Sequence, residues 1–101
     1  MMLSKTEAKR NVMKINDQFI LRTIADEYIL IPTGQAAFQI KGLITLSESG
    51  ALLYNLLKSG CSREELVSAL TKEYDVSTEE ASRDTEAFLD QMRSLKILLE
   101  D

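Results

Sequence analysis

Cys61 is the only cysteine in this sequence, and histidine is absent. A lone thiol excludes an internal disulfide, and without histidine the commonest general base and metal ligand are missing. Only Lys58 and Arg63 stand near Cys61 to lower its pKa, so a packed thiol is favoured over a reactive one. The hydroxyls of Ser47, Ser49, Ser62 and Ser77 fall where helices begin, and helix starts need such residues as caps. The 16 carboxylates are scattered along helical stretches, which describes solvated faces rather than a metal cage. Neither G-x-x-x-x-G-K-[ST] nor G-x-G-x-x-G occurs, so no phosphate loop is expected. The residue inventory therefore predicts a protein that is not an enzyme and holds no cofactor or metal.

What remains is binding, and one stretch raises it. In "GLITLSESGALLYNLL", residues 42–57, the β-formers Leu43, Ile44, Thr45 and Leu46 run directly into a helical pattern opened by Ser47. The upstream "QFILRTIADEYILIP" predicts a β-hairpin with strands at 18–24 and 27–32, reversing at Ala25-Asp26 and ended by Pro32-Thr33-Gly34. "FQIKGLITL" reads as a further extended segment, with a bend or bulge at Lys41-Gly42 before a third strand at 43–46.

The rest is helical. Ser62 with Glu65 and Ser77 with Glu80 fit the capping box, flanked by the staple pairs Cys61–Leu66 and Val76–Ala81. Ser47 caps the first helix without a box, and Gly60 ends it. Buried stripes are predicted at 52, 53, 56 and 57, at 66, 67, 70 and 74, and at 81, 85, 88, 89, 92 and 95. Ile97 to Leu99 make a short apolar clasp. Three strands followed by three helices predict an α+β domain, a winged helix-turn-helix-like arrangement of a three-stranded antiparallel sheet and a helical layer.

With 101 residues and 45% apolar composition the chain supports one small core. No run approaches the roughly 18 apolar residues of a membrane span. The start lacks the apolar stretch of a secretory signal, so a cytoplasmic location and no membrane partner are expected. Residues 1–14 carry +3 and lack periodicity, which predicts a flexible basic tail ahead of a folded domain at 15–101. The body carries −7. Helices joined by the tight turn "YDVS" invite comparison with DNA-binding domains. The would-be recognition helix at 77–95, however, has five acids against Arg83 and Arg93, and phosphates would repel it. A DNA-binding regulator and a structural, dimerising subunit are the alternative readings; a peptide added to an exposed strand edge is the principal one.

The residues "G-L-I-T-L-S-E-S-G-A" at 42–51, "L-T-K-E-Y-D-V" at 70–76 and "D-T-E-A-F-L" at 84–89 resemble the PqqD-like family, the peptide-binding RiPP recognition elements, over about residues 15–100. The resemblance implies a non-catalytic protein that captures the leader segment of a ribosomally made precursor peptide. It would then present the peptide to a modifying enzyme, often a radical S-adenosylmethionine enzyme. In that family the leader adds antiparallel to the third strand and lies along the third helix. Carried over here, the strand residues are Leu43, Ile44, Thr45 and Leu46, and the helix residues are Asp84, Ala87, Phe88 and Gln91. No nucleic acid is implied, and the chain is expected to be a monomer or weak homodimer. Arg83 and Arg93 are expected to tune binding by pairing with acidic leader residues. Proline at Ile44 is expected to abolish binding if that amide points outward. Two positions depart from the family pattern: Thr85, where an aliphatic residue is common, and Lys96, where glycine is. The second is expected to lengthen the last helix.

Overall fold

The computed structural model describes residues 12–99. Residues 1–11, most of the expected basic tail, lie outside them. The folded body begins earlier than Ile15. Met13 donates its amide to the Cys61 carbonyl at 3.1 Å, and β1 (Lys14–Ile15) pairs antiparallel with β5 (Leu98–Leu99). The apolar clasp thus closes on the start of the domain, with Ile97 fully buried.

β2 (Phe19–Ile24) and β3 (Glu27–Pro32) form the expected hairpin, and β4 (Ile44–Leu46) pairs with the far side of β3. The order β2-β3-β4 leaves β4 at an edge of the antiparallel sheet. Ala25 and Asp26 both have positive φ, 51° and 67°, as a two-residue primed turn requires. Period-two alternation sends Phe19, Leu21, Tyr28, Leu30, Ile44 and Leu46 to the core side, while Ile20 and Ile24 stay exposed on the other.

The extended reading of "FQIKGLITL" fails in its first half. Residues Ala36–Gln39 make one helical turn, α1, and the strand is confined to Ile44–Leu46. The turn is held from a distance: Gln18 Oε1 accepts the Ala36 amide at 2.9 Å, and the Gln18 carbonyl accepts the Thr33 amide at 2.8 Å.

Three helices follow as expected: α2 (Glu48–Ser59), α3 (Arg63–Glu73) and α4 (Thr78–Ser94). Ser47, Ser62 and Ser77 each accept the amide three residues on. Only Ser62 completes a capping box, its own amide donating to Glu65 Oε1 at 2.8 Å; at Ser77 the return bond from Glu80 is not made. Gly60, at φ 91°, lets α2 turn into α3, and Cys61 and Leu66 are both buried in the core.

Lys96 does not lengthen α4. It takes φ 63°, and its amide donates to the Arg93 carbonyl while that of Ile97 reaches the Met92 carbonyl. That pair of bonds is a Schellman cap, with lysine in the left-handed position usually held by glycine. Met92 and Ile97, the two residues such a cap brings together, are both fully buried. The core runs through Leu30, Leu53, Leu57, Leu66, Leu70, Leu89 and Met92, and includes the fully buried Tyr54, an aromatic outside the predicted stripes.

Candidate functional site

The polarity of the β4 edge follows from the hairpin. A two-residue turn closes on a hydrogen-bonded pair, here Ile24 and Glu27, and antiparallel pairs alternate in type along the ladder. Glu27, Ile29 and Ile31 therefore direct their amides and carbonyls to β2. The Thr33 amide bond to the Gln18 carbonyl continues the same parity. Tyr28 and Leu30 face β4 instead, where they pair with Leu46 and Ile44. Thr45, opposite Ile29, is left as the non-hydrogen-bonded member, with its amide and carbonyl turned to the open flank. Pro32 falls on the β4 side at a point where β4 has already ended, so its missing donor breaks no ladder. Among the described residues no strand covers the outer side of β4.

Beside that flank runs a groove of about 310 Å³, walled by β4, the first turns of α2 and one face of α4. Of the residues expected at the site, it brings together Thr45, Leu46, Asp84, Ala87, Phe88 and Gln91. The four on α4 share a face because 84, 87, 88 and 91 recur at helical spacing. Phe88 is both core and wall: its side chain is buried, and it still borders the groove. Leu46 is buried beneath the floor, and Thr45, Asp84, Ala87 and Gln91 are exposed. Ile44 does not reach the groove. It packs half-buried against the core, and Leu43, 62% exposed, stands before the strand.

Four lining residues were not foreseen: Ser47, Ser49, Gly50 and Leu53. They arrive because α2 starts immediately after β4, so its first turns form the groove's end. The adjacency of Leu46 and Ser47 in the sequence was the available signal. Ser47 and Ser49 place their hydroxyls 3.3 Å apart there, and Ser47 Oγ caps α2 through the Gly50 amide.

The groove is acidic, in keeping with the excess of acids on the helix that forms its wall. Neither Arg83 nor Arg93 borders it, and Arg93 Nη1 is bound to Asp90 Oδ1 at 2.8 Å. The charged residue in the wall is Asp84, and among the described residues it has no cationic partner. Arg63 pairs with Glu86, joining α3 to α4 away from this face. Among the described residues no group of histidine, cysteine or carboxylates could hold a metal ion, and no helix is long and apolar enough to cross a membrane. The arrangement offers one outward backbone donor and acceptor beside a mildly acidic channel of mixed polarity. That is the equipment for holding an extended chain.

The model of the family described as coenzyme PQQ synthesis protein D (PqqD) matches residues 27–98, which includes β3, β4 and helices α1 to α4. The chain belongs to the PqqD family. Among solved structures, this PqqD-family chain is similar to "TbiB1 in Complex with the TbiA(beta) Leader Peptide", with 30% identity and a TM-score of 0.70 over 88% of this chain and 100% of that one. It is also similar in fold to "Lasso peptide synthetase B1 complexed with the leader peptide", with 20% identity and a TM-score of 0.70 over 87% and 98% of the two chains. No curated protein matches it.

Proposed function

We propose that this PqqD-family protein is a non-catalytic binder that captures the leader segment of a ribosomally made precursor peptide and presents it to a modifying enzyme. The observation that carries this is the alignment of Thr45's outward backbone groups with the groove under α4. The similar TbiB1 structure, which holds a leader peptide, supports it. The guest would lie antiparallel to β4, with alternate side chains directed into the groove between Leu46, Leu53 and Phe88.

Magnitudes divide the work between ladder and groove. A micromolar complex needs about −8 kcal/mol. The two ladder bonds at Thr45 contribute about 1–3 kcal/mol in total. Association also costs translational, rotational and side-chain freedom, so apolar burial in the groove must contribute more than that difference alone. Affinity and selectivity therefore sit mainly in the groove walls, and the strand sets direction and register.

On family membership the proposal extends to a radical S-adenosylmethionine enzyme as recipient, to a cytoplasmic setting, and to a monomer or weak homodimer whose edge the peptide would occupy. Isothermal titration with synthetic peptides from the leader of a precursor encoded beside this gene tests the core of it. A saturable one-to-one complex is expected; absence of binding by folded protein would overturn it.

A further inference from the structure

The groove does not stop at the end of β4. It continues into a second cavity of about 340 Å³, which shares Ser47, Ser49 and Asp84 with it and is completed by Glu48, Leu70, Tyr74 and Val76. This cavity is amphipathic in an ordered way. Leu70 and Val76 give it an apolar floor, Tyr74 adds an aromatic wall, and Glu48 and Asp84 bring two carboxylates. Neither carboxylate is paired with a cation among the described residues, and no lysine or arginine lines either cavity.

Building on leader capture at β4, we infer that this second cavity is the pocket for a lysine or arginine side chain of the leader. Such a side chain is apolar along its stem and charged at its tip, so Leu70 and Val76 receive the methylenes and Glu48 and Asp84 the cation. The Tyr74 ring offers the same cation an aromatic face. An acidic guest residue would meet two like charges. An aliphatic one would strip water from two carboxylates and return no partner. Burial first, and then the Glu48 and Glu73 carboxylates, push the Tyr74 phenol above its usual range, as expected in a region of negative potential. Antiparallel addition to β4 fixes the position as well. Ser47 and Glu48 follow the strand, so they meet the part of the guest N-terminal to the residue opposite Thr45. The basic residue falls within about four positions of it at the rise of an extended chain.

The test is a yeast-displayed library of random peptides long enough to span both cavities, selected on the full chain and re-scored on three variants. Peptides that bind are expected to lose binding to Thr45→Pro and to be enriched in lysine or arginine on the N-terminal flank. Binding by fluorescence anisotropy should weaken about five- to tenfold with Glu48→Gln/Asp84→Asn, and by a similar factor when the basic residue of the peptide is replaced by methionine. Glu48→Lys/Asp84→Lys should turn the preference to acidic flanks, a readout that loss of folding cannot imitate. Binders that depend on Thr45 but show no basic preference overturn the pocket and leave strand addition standing. Binders indifferent to Thr45→Pro, or none at all, overturn both.

Discussion

Thr45 faces Ile29 across the sheet as a non-hydrogen-bonded pair, so the one residue at the middle of β4 spends its backbone groups on the outside. Its neighbours Ile44 and Leu46 bond inward to Leu30 and Tyr28. This reverses the proline test suggested by the sequence. Ile44→Pro would remove a donor from the β3–β4 ladder and place its ring in a half-buried site, destabilising the domain. Thr45→Pro instead removes the outward donor. Thermal unfolding should show a large loss for the first variant and a small one for the second, while peptide titration should show at least tenfold weakening for Thr45→Pro. Unchanged peptide affinity in a folded Thr45→Pro protein would contradict strand addition.

Ala87 is the smallest side chain in the α4 wall, exposed on its helix and directly above the groove. A long side chain there fills the channel without entering the core, and arginine keeps good helix propensity. Ala87→Arg is expected to reduce peptide binding by more than tenfold, a difference of about 1.4 kcal/mol, with the melting temperature nearly unchanged. Circular dichroism and the same titration separate the two effects; a stable variant with full affinity would place the guest elsewhere.

Thr85 is fully buried on the opposite, core-facing side of α4, and its Oγ1 has no hydrogen-bond partner among the described residues. A buried hydroxyl left unbonded costs about 1–3 kcal/mol. Thr85→Val keeps the shape and removes the polar atom, so the domain should gain about 1 kcal/mol and melt about 4–8 °C higher. A lower melting temperature would mean that the hydroxyl is satisfied in solution.

Lys96 holds a left-handed conformation at φ 63°, which disfavours a residue with a Cβ by about 1–2 kcal/mol. Lys96→Gly should stabilise the domain by about 0.5–1 kcal/mol, after allowing for glycine's greater freedom when unfolded and for the loss of a cation near the C-terminus of α4. Urea unfolding measures this directly. Destabilisation would show that the lysine side chain contributes more than its backbone strain removes.

The helices and their ends also mark where the sequence was readable. Ser47, Ser62 and Ser77 were identifiable as caps because the signal spans four residues and acts locally. Asp84, Ala87, Phe88 and Gln91 share one face by helical spacing, and the family resemblance is what pointed to that face beside β4. The Lys96 cap was not, since the left-handed position normally announces itself with glycine. The α1 turn was also hidden: it depends on Gln18, 18 residues upstream of the amide it receives. Tyr54 escaped the predicted stripes because its phenol reads as polar, yet it is fully buried in the core and its hydroxyl lies 3.5 Å from the Phe19 carbonyl. The outward polarity of Thr45 needed the register of the whole hairpin, and no local pattern carries that.

Tyr54 is expected to weaken the fold at alkaline pH. Its phenol is raised above the usual value, first by burial and then by the Asp17 carboxylate. The folded state therefore holds this proton more tightly than the unfolded chain, whose tyrosines ionise near pH 10. The corresponding stability is fully present below that pH and is lost as pH climbs from there through the folded value. Between the two values the unfolded chain binds fewer protons, so unfolding becomes easier with each increment of pH. Urea unfolding from about pH 8 to 11 should show a falling midpoint at the alkaline end. Tyr54→Phe should lower stability modestly at neutral pH and flatten that fall, because the group whose ionisation drives part of it is gone. An equal slope in wild type and Tyr54→Phe would assign the alkaline loss to Tyr74 or to lysine deprotonation instead.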